Sequence, residues 1–129
     1  MAEEYGVLLR ITFIIHVIIG FIFGLGFLMI PAYLAPMFGI AFSDPTVRLF
    51  GAMMVAFTIG SLLCLMTKEW ARVKVVVEME LVWTVLGPIV IGYHILFPPF
   101  YNYNAWINVG ILLVLFFLFL ISYVREVRK

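Results

Sequence analysis

Four apolar runs, each long enough to cross a bilayer and separated by short polar or proline-bearing breaks, leave this chain little choice of fold. A membrane-spanning helix needs roughly 20 mostly apolar residues to cover a hydrocarbon core about 30 Å thick. The runs lie at approximately Val7–Ile30, Pro45–Met66, Val73–Phe97 and Ala105–Val124. In lipid every backbone N–H and C=O must find its partner within the structure, so runs of this kind form helices. The chain is 66% hydrophobic and 12% charged with a mean hydropathy of +1.21, outside the range of water-soluble domains. The expected architecture is an all-α integral membrane four-helix bundle, left-handed, forming a single membrane domain over residues 1–129. The first run is longer than the apolar part of a signal peptide and is followed by no small-x-small cleavage pattern, so it reads as a retained helix.

The breaks carry their own signals. Ser43-Asp44-Pro45 places capping side chains before a proline at the first helical position, which starts the second helix. Thr67-Lys68-Glu69-Trp70 leaves only a tight turn between the second and third helices. Pro98-Pro99 ends the third helix and Asn104 is placed to cap the fourth. The segment Pro31-Ala32-Tyr33-Leu34-Ala35-Pro36-Met37-Phe38 is too apolar for an aqueous loop and reads as a short helix lying in the interface.

With four spans, both termini and the second connection share one side. That side holds Arg10, Lys68, Arg72, Lys74, Arg125, Arg128 and Lys129, and the opposite side holds Arg48 alone. Basic residues collect on the cytoplasmic side, so both N- and C-termini are expected in the cytoplasm.

Several function classes fall away. A net charge of +1 with scattered basic residues offers nucleic acid no electrostatic footprint, so no nucleic-acid partner is expected. Cys64 is the only cysteine, which excludes an intramolecular disulfide and cysteine-based zinc sites. No metalloprotease, nucleophile-elbow or phosphate-loop motif occurs. By helix rise, His16 and His94 differ in depth by roughly 10–15 Å, so one chain cannot clamp a haem between them. No cofactor and no metal are expected.

The informative residues are polar ones inside apolar runs. Glu78 and Glu80 point about 160° apart on a helix, so they serve different ends. Glu78 lies one turn beyond Lys74 and reads as its i, i+4 ion-pair partner. Glu80 has Val76 and Thr84 in the corresponding places and needs a partner from another helix or a bound proton. Glu80, Thr84 and Gly87 share a face, and Pro88 withholds a donor from the carbonyl of Thr84 at mid-membrane. On the first helix Thr12, His16, Gly20 and Gly24 recur every four residues, the glycine pair being a helix-packing signature. His16 and Glu80 both lie at a depth of roughly 12–14 Å, so a buried contact between them is open. The candidate ligand-binding set is therefore Glu80, His16, Thr84, Gly87, Pro88, Thr12, Trp83 and Thr58. A secondary outer set comprises Arg48, His94 and Asn108, with an Asp44–Arg48 pair as its simpler reading.

The segments Gly24-Leu25-Gly26-Phe27-Leu28-Met29-Ile30-Pro31, Phe38-Gly39 and Pro45-Thr46-Val47-Arg48-Leu49-Phe50-Gly51-Ala52 resemble the first hairpin of small four-helix prokaryotic membrane proteins of the DoxX-like group. The resemblance covers roughly the first half of the chain. It implies the four-helix architecture, in a prokaryotic cell membrane, more than an activity, although some members are thought to act as membrane partners of redox proteins; it assigns no site residue. The small extramembrane portion and tight loops suit assembly within lipid, so the leading expectation is a non-catalytic subunit or scaffold of a membrane complex, with a membrane-protein partner or a homo-oligomer. The alternative is a binding protein or isomerase-like enzyme for an apolar small molecule, such as a lipid, a quinone or a sterol-like compound. A proton-coupled carrier, working as a dimer, ranks third.

Overall fold

A proline at the start of a helix has no N–H to place and keeps the residue before it out of helical geometry, and this rule sets the first boundary. Ile30, before Pro31, adopts φ −130° and ψ 50°, ending α1 (Val7–Met29) and opening the short α2 (Pro31–Met37). The computed structural model describes residues 3–41, 44–97 and 102–129. Its remaining helices are α3 (Asp44–Thr67), α4 (Trp70–Leu96) and α5 (Trp106–Val127), the last preceded by a single 3-10 turn at Tyr103–Ala105. Four of the five α-helices are long and apolar enough to cross a membrane, and the protein is a polytopic all-α membrane bundle.

The expected spans hold, with α4 beginning three residues earlier than the hydropathy run and α5 extending to Val127. The apolar segment after α1 is indeed helical. One cap differs: the side chain of Asn102, not Asn104, accepts the N–H of Asn104 at 2.9 Å and starts the 3-10 turn. The extra turn displaces the start of α5, so Asn104 sits inside it. Ser43, Pro98, Pro99 and Tyr101 lie outside the described residues.

The N-terminal segment, the α3–α4 turn and the end of α5 meet at one end of the bundle, here called the base. Tyr5 N–H donates to the Lys68 carbonyl at 3.1 Å and Trp70 N–H to the Glu3 carbonyl at 2.9 Å. Tyr5 Oη donates to the Cys64 carbonyl at 2.9 Å, and burial raises this phenol above its usual range, so it stays a donor. Glu126, which the sequence reading passed over, is buried and accepts the Gly6 N–H at 2.7 Å and Lys129 Nζ at 2.6 Å. A carboxylate is thereby supplied to the N-terminus of α1, whose own first turn has no acid and no side-chain cap. At the opposite end Gly39, with φ +69°, gives its carbonyl to Asn102 N–H at 3.0 Å, joining the two loops there.

The long helices pack chiefly as two pairs, α1 on α3 and α4 on α5, with α3 and α4 touching much less. Glycines set the first pair. A Cβ on Gly51 would stand 2.6 Å from the Leu28 nitrogen and 2.8 Å from the Gly24 carbonyl oxygen, so the two backbones are nearly in contact. A Cβ on Gly20 would collide with Thr58 Oγ1. The base half of the bundle is then filled by Leu9, Phe13, Cys64, Val73, Val77, Leu115 and Phe119. A smaller cluster of Phe27, Ala35 and Val47 holds α2 over the other end. Between these two clusters the interior is not filled.

Candidate functional site

The unfilled interior is a cavity of about 740 Å³ reaching from mid-bundle toward the α2 end. That volume lies within the roughly 300–1,000 Å³ of small-molecule sites. All four long helices line it: His16, Gly20, Phe23 and Phe27 from α1, Val47, Phe50 and Met53 from α3, Trp83, Leu86, Gly87 and Val90 from α4, and Asn108, Ile111, Leu112 and Leu115 from α5. Ile40, Ala41 and Thr46 lie at its far end. At its wall α4 and α5 approach closely, since a Cβ on Gly87 would come within 2.8 Å of Leu112 Cδ1. Apart from His16, Thr46 and Asn108, the lining is apolar, and no Lys, Arg, Asp or Glu belongs to it.

His16 marks the inner end and is held from two sides. Its Nδ1 is 2.7 Å from Ser61 Oγ on α3, and its Nε2 is 3.5 Å from Glu80 Oε2 on α4. Phe119 of α5 sets its ring edge-to-face against the imidazole at a centroid distance of 5.6 Å. All four long helices therefore fix this one side chain. Ser61 and Glu80 are fully buried, and neither Glu80 carboxyl oxygen has a hydrogen-bond partner among the described residues. At 3.5 Å the Glu80 contact is longer than the 2.7–3.2 Å of an N–H···O bond, so it is an ion-pair-range approach rather than a hydrogen bond.

The remaining sequence candidates divide. Trp83 and Gly87 line the cavity with His16. Thr84 lies one turn from Glu80 and returns its hydroxyl to the Glu80 carbonyl at 2.6 Å, the usual fate of a threonine inside a membrane helix. Pro88 is buried in the same helix. Thr12 donates to the Leu8 carbonyl at 2.9 Å and meets Ser122 Oγ at 3.2 Å. Thr58 bonds the Met54 carbonyl at 2.7 Å and fills the notch left by Gly20. These two threonines serve the helix seams rather than line the cavity. Glu78 pairs with Lys74 at 3.7 Å and also accepts from Tyr123 Oη at 2.9 Å.

The outer set makes several contacts among the described residues. Arg48 Nε pairs with Asp44 at 2.7 Å, and its Nη1 donates to the Leu28 carbonyl at 2.6 Å. His94 lies edge-on to Tyr93 at 5.2 Å between centroids. Asn108 belongs to the cavity instead, with its Nδ2 donating to the Phe38 carbonyl at 2.9 Å.

Ser61 is the residue that sequence reasoning missed. The signal was present: Gly51, Thr58 and Ser61 fall within one face of α3, the face that α1 covers. Among the described residues no group of three His, Cys, Asp or Glu side chains is placed to hold a metal ion. Chemically, the arrangement can seat an apolar body in the cavity and exchange a hydrogen bond or a proton at His16.

Comparison with models of protein families, with curated proteins and with solved structures gave no match in any of the three.

Proposed function

We propose that the protein is an intramembrane binding protein for an apolar small molecule, held in the central cavity with its polar end at His16. The observation that carries this reading is the cavity itself, about 740 Å³ of mostly apolar lining ending at one oriented imidazole. Membrane helices associate by close packing, so an unfilled volume of this size calls for an occupant. A subunit or scaffold role supplies no reason for such a space, which is why binding takes precedence over it. Native mass spectrometry of protein released gently from its own membranes tests the reading by the mass of any small molecule that stays bound.

A second reading is favoured by the Ser61–His16–Glu80 arrangement: acid/base chemistry on the bound molecule, as an isomerase-like enzyme requires. Ser61 does not line the cavity, so it orients His16 rather than attacking a substrate. A carrier is disfavoured because the base half below His16 is solidly packed. The base is proposed to face the cytoplasm, on the strength of seven of the eight Lys and Arg residues. Kinship with the DoxX-like group is likewise a proposal, supported by the four-helix architecture and the Gly24–Gly51 contact of the first hairpin.

A further inference from the structure

We infer that the ligand is an uncharged lipid with a hydroxyl head, which enters sideways from the bilayer through the gap between α3 and α4 and binds head inward at His16. This rests on the reading of the cavity as a binding site and adds the ligand's chemistry and its route.

The route follows from packing. α3 and α4 are the adjacent long helices that touch least. Along their seam Met53, Leu86 and Val90 line the cavity and are also 39%, 53% and 51% exposed on the outer surface. Side chains that are at once wall and surface mark an opening, and on this seam it faces lipid, apart from the exposed Ala41 and Thr46 at the cavity's far end. Trp83 forms its sill: the indole lies 6.0 Å from the Phe50 ring and stacks on Phe57 at 6.3 Å, joining the two helices on the base side of the gap.

The chemistry follows from the lining. With no Lys or Arg in the wall among the described residues, a phosphate or sulfonate head would lose its hydration and gain no counter-charge. A neutral head incurs no such penalty. At the inner end His16 presents its imidazole to the cavity, while the fully buried Glu80 stands behind it, 3.5 Å from Nε2. A hydroxyl both donates and accepts, so it can bond the imidazole whichever ring nitrogen holds the proton. The head therefore goes to mid-membrane and the hydrocarbon toward the gap, the reverse of a bilayer lipid's placement.

Photo-labelling of the full chain in vesicles tests this with three probes carrying the same diazirine-tagged alkyl chain: a long-chain alcohol, the corresponding alkyl sulfonate, and a phosphatidylcholine. The alcohol is expected to label peptides containing Ile111, Leu112 and Leu115, with the sulfonate and phosphatidylcholine confined to exposed faces. Equal labelling of those cavity positions by a charged probe would overturn the neutral-head inference while leaving the binding reading intact. Failure of all three probes to reach the cavity would overturn the binding reading itself. The route is tested in the double variant Met53→Trp, Val90→Trp, whose changes sit at exposed positions and whose helicity is checked by circular dichroism. Severalfold lower alcohol labelling of the cavity is expected, and unchanged labelling would exclude entry between α3 and α4.

Discussion

His16 Nε2 and Glu80 Oε2 stand 3.5 Å apart, across the interface between α1 and α4, at the inner end of a cavity that His16 lines and Glu80 backs. Glu80 is the buried acid that backs the imidazole met by the proposed ligand. Glu80→Gln keeps the shape of the side chain and removes its acid. Binding that depends on this orientation of His16 predicts a ligand affinity lowered about tenfold, the order of one hydrogen bond to a polar buried group. Thermal unfolding in detergent should stay within a few degrees of the parent. A purely structural His16–Glu80 contact predicts the opposite pattern, lower thermal stability with unchanged ligand retention.

Gly51 and Gly60 lie on the same helix in contrasting surroundings. A Cβ at Gly51 meets the Leu28 nitrogen at 2.6 Å, whereas one at Gly60 meets nothing within 4 Å. Backbone cannot move aside as a side-chain tip can, so Gly51→Ala is expected to destabilise by about 1–3 kcal/mol. Gly60→Ala should be neutral or stabilising by about 0.5–1 kcal/mol through helix propensity. Paired thermal melts in one detergent check both.

Lys68 holds φ 59°, a left-handed conformation that glycine adopts without strain. Its carbonyl is fixed by Tyr5 N–H, so the turn cannot relax. Lys68→Gly should stabilise by about 1 kcal/mol, read as a raised melting temperature. No change would mean that the lysine makes a compensating contact through its side chain.

Ala71 is exposed at the α3–α4 turn, while the native Cys64 is buried. In Ala71→Cys a membrane-impermeant maleimide should label only after the cells are permeabilised, if the base faces the cytoplasm. Labelling of intact cells would reverse the orientation.

The long elements were legible because lipid leaves the backbone one solution, and proline and glycine then fix where helices stop. Depth was legible too: counting helix rise put His16 and Glu80 at one level, and they meet. What lies across an interface was less so. Periodicity places Ser61 on a buried face of α3 but does not say that α1 presents an imidazole there. Glu126 lies among the basic residues of the C-terminal end, and its burial against Gly6 depends on how α5 sits beside the start of α1. Thr12 and Thr58 share stripes with cavity residues yet turn into helix seams, because a helix face is wider than one contact. The cavity was the least legible feature, since it depends on how the four long helices splay between two packed clusters rather than on any one residue.

The most direct test of the central claim is native mass spectrometry of the protein and of Glu80→Gln, each released from its own membranes under the same gentle conditions. The account predicts a defined small-molecule mass on the parent chain and a much smaller bound fraction on Glu80→Gln. A parent chain that carries no small molecule, or equal occupancy of both chains, would contradict it.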